Sequence, residues 1–198
     1  NLLIDTILPP DNIVGSVVYP ACEIVRPGTI KHIAGNRFSL GEPEGSESDR
    51  LKFISEILKR AGFRAPIQKN IRDEIWLKLI GNLSFNPISA LTGATLEQIC
   101  NDQGTEAIVR AMMTEAKIIA EKLGAKINMS IEKRIEGARK VGAHKTSMLQ
   151  DIEAGKPIEI DSIIIAVKEL GELTCSPTPY IDTILNLTLQ KAKLIGCL

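Results

Sequence analysis

Apolar residues recur along this chain with two different periods, and the change from one to the other divides it. From Asn12 to about Glu42, the run "NIVGSVVYPACEIVRPGTIKHIAGNRFSLGE" is β-branched and punctuated by Gly, Pro and Asn, which predicts three short strands. From Ser48 the period lengthens. Leu51, Ile54, Ile57, Leu58 and Ala61 of "SDRLKFISEILKRAG" repeat as a helix does, and Gly62 ends them. "FRAPIQ" then reads as extended. This first part is too small for an independent, well-covered sheet.

After Asn70 everything reads as helix. Asn70 can cap a helix with Asp73 and Glu74 in its first turn, where carboxylates favour the positive end of the dipole. That helix should run to about Leu91, with Pro87 removing a backbone donor, kinking it near Asn86 and freeing the carbonyl of Leu83. Thr95 and Gln98 have capping-box spacing, and "AIVRAMMTEAKIIAEKLG" makes a long amphipathic helix closed by Gly124. Ser130 opens "IEKRIEGARKVG", and "KTSMLQDIEAGKP" is a short helix stopped by Gly155 and Pro157. Asp161 begins "SIIIAVKELGEL", and Thr178 with Pro179 launches a last helix through about Ile195. Six or seven helices result, an all-α domain.

Composition changes this picture little. A chain of 198 residues buries a sizeable core, as one domain or two small ones. Its 24 Lys and Arg balance 24 Asp and Glu, so net charge favours neither nucleic acid nor an anionic membrane. Apolar runs such as "SIIIAV" fall far short of the roughly 20 residues a membrane-spanning helix needs, which predicts a soluble protein. Cys22, Cys100, Cys175 and Cys197 form no C-x-x-C pair, and His32 and His144 stand alone, so structural zinc and a disulfide scaffold are not expected. Reduced thiols in a cytoplasmic protein are the default. The chain opens "NLLIDTILPPDN" without Met, so its start has been processed or it belongs to a longer protein.

Candidate chemistry lies in two segments. In "DEIWLKLIGNLSFNPISALTG", Lys78, Asn82 and Asn86 follow one another at steps of four, drifting only about 40° round the helix per step, so three polar heads leave one side. They can line a polar pocket; the competing reading is a solvent-facing stripe. In "TSMLQDIEAGKPIEIDSI", Glu159 stands between Ile158 and Ile160, where a carboxylate among buried isoleucines would need a partner. Alternatively, Glu159 and Asp161 are N-terminal charges for the next helix. The fingerprint G-x-G-x-x-G, G-x-S-x-G and H-E-x-x-H are all absent, and "GARKVGAHKTS" lacks the phosphate-loop order of glycine, lysine and helix.

Together the two segments resemble the ketopantoate reductase (2-dehydropantoate 2-reductase) family: a lysine, asparagines one and two turns later, a proline, then "SMLQDI" and "EID". "ELGELTCSPTPYIDTIL" and the N-terminal "LPPDNIVGSVVYPACEIVRPGTIKH" extend the resemblance over essentially the whole chain. It implies an enzyme with a Rossmann-type NADP-binding domain, then a helical domain like that of 6-phosphogluconate dehydrogenase, and a substrate cleft between them. On that reading the fold is α+β dominated by α. Residues 1–69 are the C-terminal part of the Rossmann-type domain, without its glycine-rich half, and 70–198 are the all-α substrate-binding and catalytic domain.

The implied activity is NADPH-dependent reduction of 2-dehydropantoate to pantoate, in pantothenate and coenzyme A biosynthesis in the cytoplasm. Carried over by motif, Lys78 is the catalytic lysine and Glu159 an active-site glutamate that also meets the cofactor. Asn82, Asn86 and Ser147 bind substrate, and Ala21 is a looser match to a backbone position at the cofactor. No metal is implied. The partners implied are a small 2-oxo acid and NADP(H), with a homodimer allowed; neither nucleic acid nor membrane is expected. The chain alone is expected to bind dinucleotide weakly or not at all and to be inactive. Three departures bear on the substrate: "ATLEQIC" where many members carry asparagine and glycine, Ile163, Ile164 and Ile165 where a glycine is usual, and His144 in place of a polar amide. A related 2-oxo acid reductase of other specificity, or a non-catalytic helical dimerisation or binding module, are the alternatives.

Overall fold

Breaks at Pro20, at Pro27 with Gly28, and at Gly35 with Asn36 cut the β-branched region three times, so it forms four strands and not three. These are β1 (Gly15–Val18), β2 (Ala21–Arg26), β3 (Thr29–Ala34) and β4 (Phe38–Gly41). The structure, a computed structural model, describes Pro9 and residues 12–198. The rest of the opening "NLLIDTILPPD", which begins the stretch compared with the late strands of the Rossmann-type domain, lies outside the described residues. β1 pairs antiparallel with β4 and β2 with β3, as two separate two-stranded sheets.

The chain divides into two compact units, the first ending at Ile75 and the second spanning Trp76–Leu198. In the first, "FRAPIQ" is extended alongside β4: the N–H of Phe38 donates to the carbonyl of Arg64 (2.8 Å) and that of Leu40 to Pro66 (3.0 Å). Ser48 caps α1 (Asp49–Arg60), accepting from the N–H of Leu51, and α1 packs Leu51 against Leu40 and Ala65. Two carboxylates tie the unit together. Glu74 accepts from Tyr19 (2.7 Å), Arg37 (2.6 Å) and Ser39 (3.1 Å). Glu42, 1% exposed, accepts from both Nε (2.8 Å) and Nη2 (2.5 Å) of Arg50 and from the Ser48 hydroxyl.

Seven α-helices follow from Ile71 onward, together with one π-helical turn. Asn70 accepts from the N–H of Arg72 at the start of α2 (Ile71–Thr92), which continues past Pro87. The Thr95–Gln98 capping box opens α3 (Leu96–Asn101). Asp102 caps α4 (Gln103–Lys122), so that helix starts ahead of the apolar run. Ser130 and Thr146 cap α5 (Ile131–Val141) and α6 (Ser147–Glu153). The π-helical turn Asp161–Ile165 leads into α7 (Ala166–Leu173), and α8 (Pro179–Ile195) ends the fold.

α4 is the hub of the second unit. Its Val109, Met112, Met113, Ala116, Ile119 and Ala120 are fully buried, in one core with Ile99, Ile164, Val167 and Ile181. At α8 the sequence expectation holds for Pro179 but not for Thr178, which gives no side-chain cap. Glu115 of α4 does that work instead, accepting from the N–H groups of Tyr180 and Ile181 at 3.0 Å each. Because this carboxylate is drawn out of water to reach the helix end, burial pushes its pKa up. The fold class expected from the sequence is the one found: a helical domain preceded by a β-rich segment.

Candidate active site

α2 is largely buried through its middle, so its polar residues do not form a fully exposed stripe. From Ile80 to Ala90 every residue is buried except Asn82, which is half-buried. Two of the helix's hydroxyls satisfy themselves on nearby carbonyls, Ser84 on Ile80 (2.9 Å) and Ser89 on Ala94 (2.7 Å). Asn86 is 6% exposed, and Lys78, a turn before Asn82, is half-buried. Of the three polar heads, then, two are half-buried and the third is buried.

Glu159 is brought to this group from another segment. Its neighbours Ile158 and Ile160 are 8% and 2% exposed, and the N–H of Ile158 donates to the carbonyl of Cys197 (3.0 Å). With both isoleucines turned inward, Glu159 is turned out and exposed. Its carboxylate acts through space on Lys78. Burial is the larger influence on that amine and lowers its pKa; the Glu159 charge opposes it. Asp161 does sit in the first turn of the π-helical segment, as the alternative reading of these two acids expects.

Ser147 and Ala21 are positioned by other elements. Ser147 is the first residue of α6 and is exposed, while Thr146 beside it spends its hydroxyl on the N–H of Leu149. Ala21 opens β2 in the first unit and is half-buried. Among the described residues no group of three His, Cys, Asp or Glu could hold a metal ion, and no helix is long and apolar enough to cross a membrane.

Two contacts on α2 escape a reading of the sequence. A Cβ on Gly81 would lie 2.0 Å from Nη2 of Arg134, so only glycine lets that guanidinium from α5 rest on the helix beside Asn82. The signal was a glycine inside an otherwise apolar helix. At the far end, Lys191 of α8 donates to the carbonyls of Ala90 (2.5 Å) and Leu91 (3.1 Å), filling acceptors that a helix C-terminus leaves open. A half-buried amine that holds its proton less tightly than usual, next to amides that both donate and accept, can pass a proton to an oxyanion while its neighbours orient the substrate.

A family profile described as Ketopantoate reductase PanE/ApbA C terminal matches residues 70–192. The chain belongs to the ketopantoate reductase family. A 2-dehydropantoate 2-reductase of Mesorhizobium japonicum is 54% identical over 188 residues, which are 95% of this chain and 58% of that protein. A crystal structure from Ralstonia solanacearum MolK2, assigned as a ketopantoate reductase, matches with a TM-score of 0.93 at 42% identity, covering 98% of this chain and 60% of that one. D-mandelate dehydrogenase in complex with NADH shares the fold, with a TM-score of 0.89 at 20% identity over 98% of this chain and 66% of its own. The chain thus spans under two thirds of the Mesorhizobium and Ralstonia proteins. Two departures noted in the sequence are packing features: Leu96 lies half-buried against the helical core, its N–H donating to the carbonyl of His144 (2.9 Å), and Ile163 and Ile164 are buried.

Proposed function

We propose that this chain is the substrate-binding and catalytic helical part of a cytoplasmic enzyme that reduces 2-dehydropantoate to pantoate with NADPH, a step toward pantothenate and coenzyme A. The observation that carries this reading is Lys78: a half-buried amine, its pKa lowered by burial, with the Glu159 carboxylate acting on it. Reduction of a 2-oxo acid adds a hydride to the carbonyl carbon, which a reduced nicotinamide supplies when bound, and needs a proton for the oxygen. Lys78, as the ammonium, donates that proton and draws charge toward the oxygen as the carbonyl becomes an alkoxide. Asn82 and Asn86 hold the polar groups of the substrate with neutral amides, and the hydroxyl of Ser147 donates to its carboxylate. Glu159 orients the ammonium and can accept from a hydroxyl of substrate or cofactor.

The residues fit a cofactor in part. Glu159 is an exposed acceptor beside the amine, and Ala21 offers backbone at a strand start, but the chain carries no glycine-rich pyrophosphate cradle. A homodimer belongs to the same reading.

The test is NADPH oxidation by the intact protein with 2-dehydropantoate, with Lys78→Ala as control. Turnover that falls by two or more orders of magnitude in the variant supports the assignment; near-normal kcat in Lys78→Ala removes the lysine from it. Leu96 favours a second reading. An aliphatic side chain packed on the core cannot hydrogen-bond a substrate, so a related 2-oxo acid is the alternative, and a panel of such acids separates the two.

A further inference from the structure

The polar series on α2 begins one step before Lys78. Glu74 stands four residues ahead of it, so Glu74, Lys78, Asn82 and Asn86 follow one another at steps of four on one continuous helix. Glu74 lies in the first turn of α2 and Lys78 in the second. A single oxygen of Glu74, Oε1, accepts from the Tyr19 phenol (2.7 Å), the Arg37 guanidinium (2.6 Å) and the Ser39 hydroxyl (3.1 Å). The donors are themselves held together. Arg37 stacks over the Tyr19 ring, 4.0 Å from its centroid, its carbonyl accepts from the Tyr19 N–H (2.9 Å), and Ser39 on β4 is fully buried.

This is more than the start of a helix needs. Asn70 already accepts from the N–H of Arg72, and a carboxylate in the first turn favours the helix dipole without any side-chain partner. What three convergent donors add is a fixed place, because helix ends fray and a turn tied to a strand by charge-assisted bonds does not. We propose that Glu74 is a positioning residue for Lys78: by tying the first turn of α2 to Tyr19, Arg37 and Ser39, it keeps the second turn wound and the amine in its half-buried place. The consequence for turnover rests on the reading of Lys78 as proton donor; the positioning itself is measured on the amine. Removing the Glu74 carboxylate has two conceivable effects, of opposite sign. Loss of a negative charge near an ammonium makes the ammonium easier to deprotonate. Loss of the wound turn returns the amine to water, and since burial is the larger influence on Lys78 and lowers its pKa, that pKa climbs back toward the ordinary lysine value. Positioning requires the climb.

The test is an NMR titration of the intact protein with its lysines methylated by isotope-labelled formaldehyde, the Lys78 signal being the one that Lys78→Arg removes. In Glu74→Ala the Lys78 midpoint should rise, and Glu74→Gln, whose amide oxygen can still accept from Tyr19 and Ser39, should bring it back. Tyr19→Phe takes away one donor while leaving the ring under Arg37. It should raise the midpoint less and in the same direction, and it carries the test if circular dichroism shows Glu74→Ala unfolded. A midpoint that stays or falls in the folded variants, or a Glu74→Gln that behaves as Glu74→Ala does, would overturn the positioning. Kinetics on the unmethylated protein with NADPH and 2-dehydropantoate separate this from the function proposed above. Glu74→Ala should lower kcat about tenfold with KM for the 2-oxo acid within about twofold, since a misplaced acid slows the chemical step and leaves the substrate-holding amides alone. Full turnover in Lys78→Ala would remove the proton-donor reading and leave the titration result standing; full turnover in Glu74→Ala beside an inactive Lys78→Ala would remove the positioning alone.

Discussion

In the role proposed for Lys78, folding and chemistry make opposite demands on one side chain. Burial lowers its pKa, so the folded protein binds that proton less tightly than the unfolded chain does. Stability therefore rises with pH between the lowered value and the ordinary lysine value, and below that window the half-buried ammonium is a standing cost. Lys78→Met should accordingly raise Tm at pH 7, read by calorimetry, while it abolishes turnover. The same shift fixes the pH profile. An acid that must be protonated gives kcat/KM that falls as pH rises through its pKa, so the alkaline limb should lie below the range of an ordinary exposed lysine and vanish in the Lys78 variant. Asn82→Ala should act chiefly through KM, because an amide that holds substrate and transition state alike contributes binding and little rate. The lysine and its two asparagines were legible because helical spacing alone puts them on one side. Their burial was not: Asn86 is 6% exposed, and burial depends on what packs against the helix, which no local pattern reports.

Elements follow local rules where their ends are local and depart from them where a distant residue intervenes. The caps at Ser48, Thr95, Ser130 and Thr146 involve residues three apart in the chain. The start of α8 does not, because its N–H groups are taken by Glu115, on another helix. Glu115→Ala should cost about 1 kcal/mol, in the range for losing a cap, seen as a lower midpoint in urea. Gly81 is a second case. A methyl group there would meet the Arg134 guanidinium at 2.0 Å; that group is the far end of a flexible side chain and can swing aside, so Gly81→Ala should cost under about 1 kcal/mol net of the higher helix propensity of alanine. Restoring stability with Gly81→Ala plus Arg134→Ala would show that the clash, and not the backbone, is responsible.

The two units differ in what holds them. The second is closed by a continuous apolar core around α4, while the first has a small core of Leu40, Leu51 and Ala65 and leans on buried carboxylates. Glu42 shows the consequence. The Arg50 guanidinium, with help from the Ser48 hydroxyl, holds its carboxyl below the usual range. Its contribution is complete above the ordinary glutamate pKa and is lost as pH falls through the lower folded value. Arg50→Ala should cost about 2 kcal/mol, less than a fully buried pair because Arg50 is over a third exposed. Hydrogen exchange should quicken in α1 and β4, while the fluorescence of Trp76, in the second unit, reports an unchanged melt. The division into a β-rich and a helical part was visible as a change of hydrophobic period. The pairing of strands into two separate sheets was not, because register depends on which partner a strand meets.

The π-helical turn at Asp161–Ile165 gives Glu159 a property that no substitution can probe. Such a turn holds one residue more than an α-helical turn of the same rise. Deleting a single isoleucine from it would restore regular winding into α7 and swing everything before it round the axis by about 100°. The aim of the carboxylate is therefore encoded in a count of residues. A one-residue deletion there should uncouple Glu159 from Lys78 with every other side chain kept.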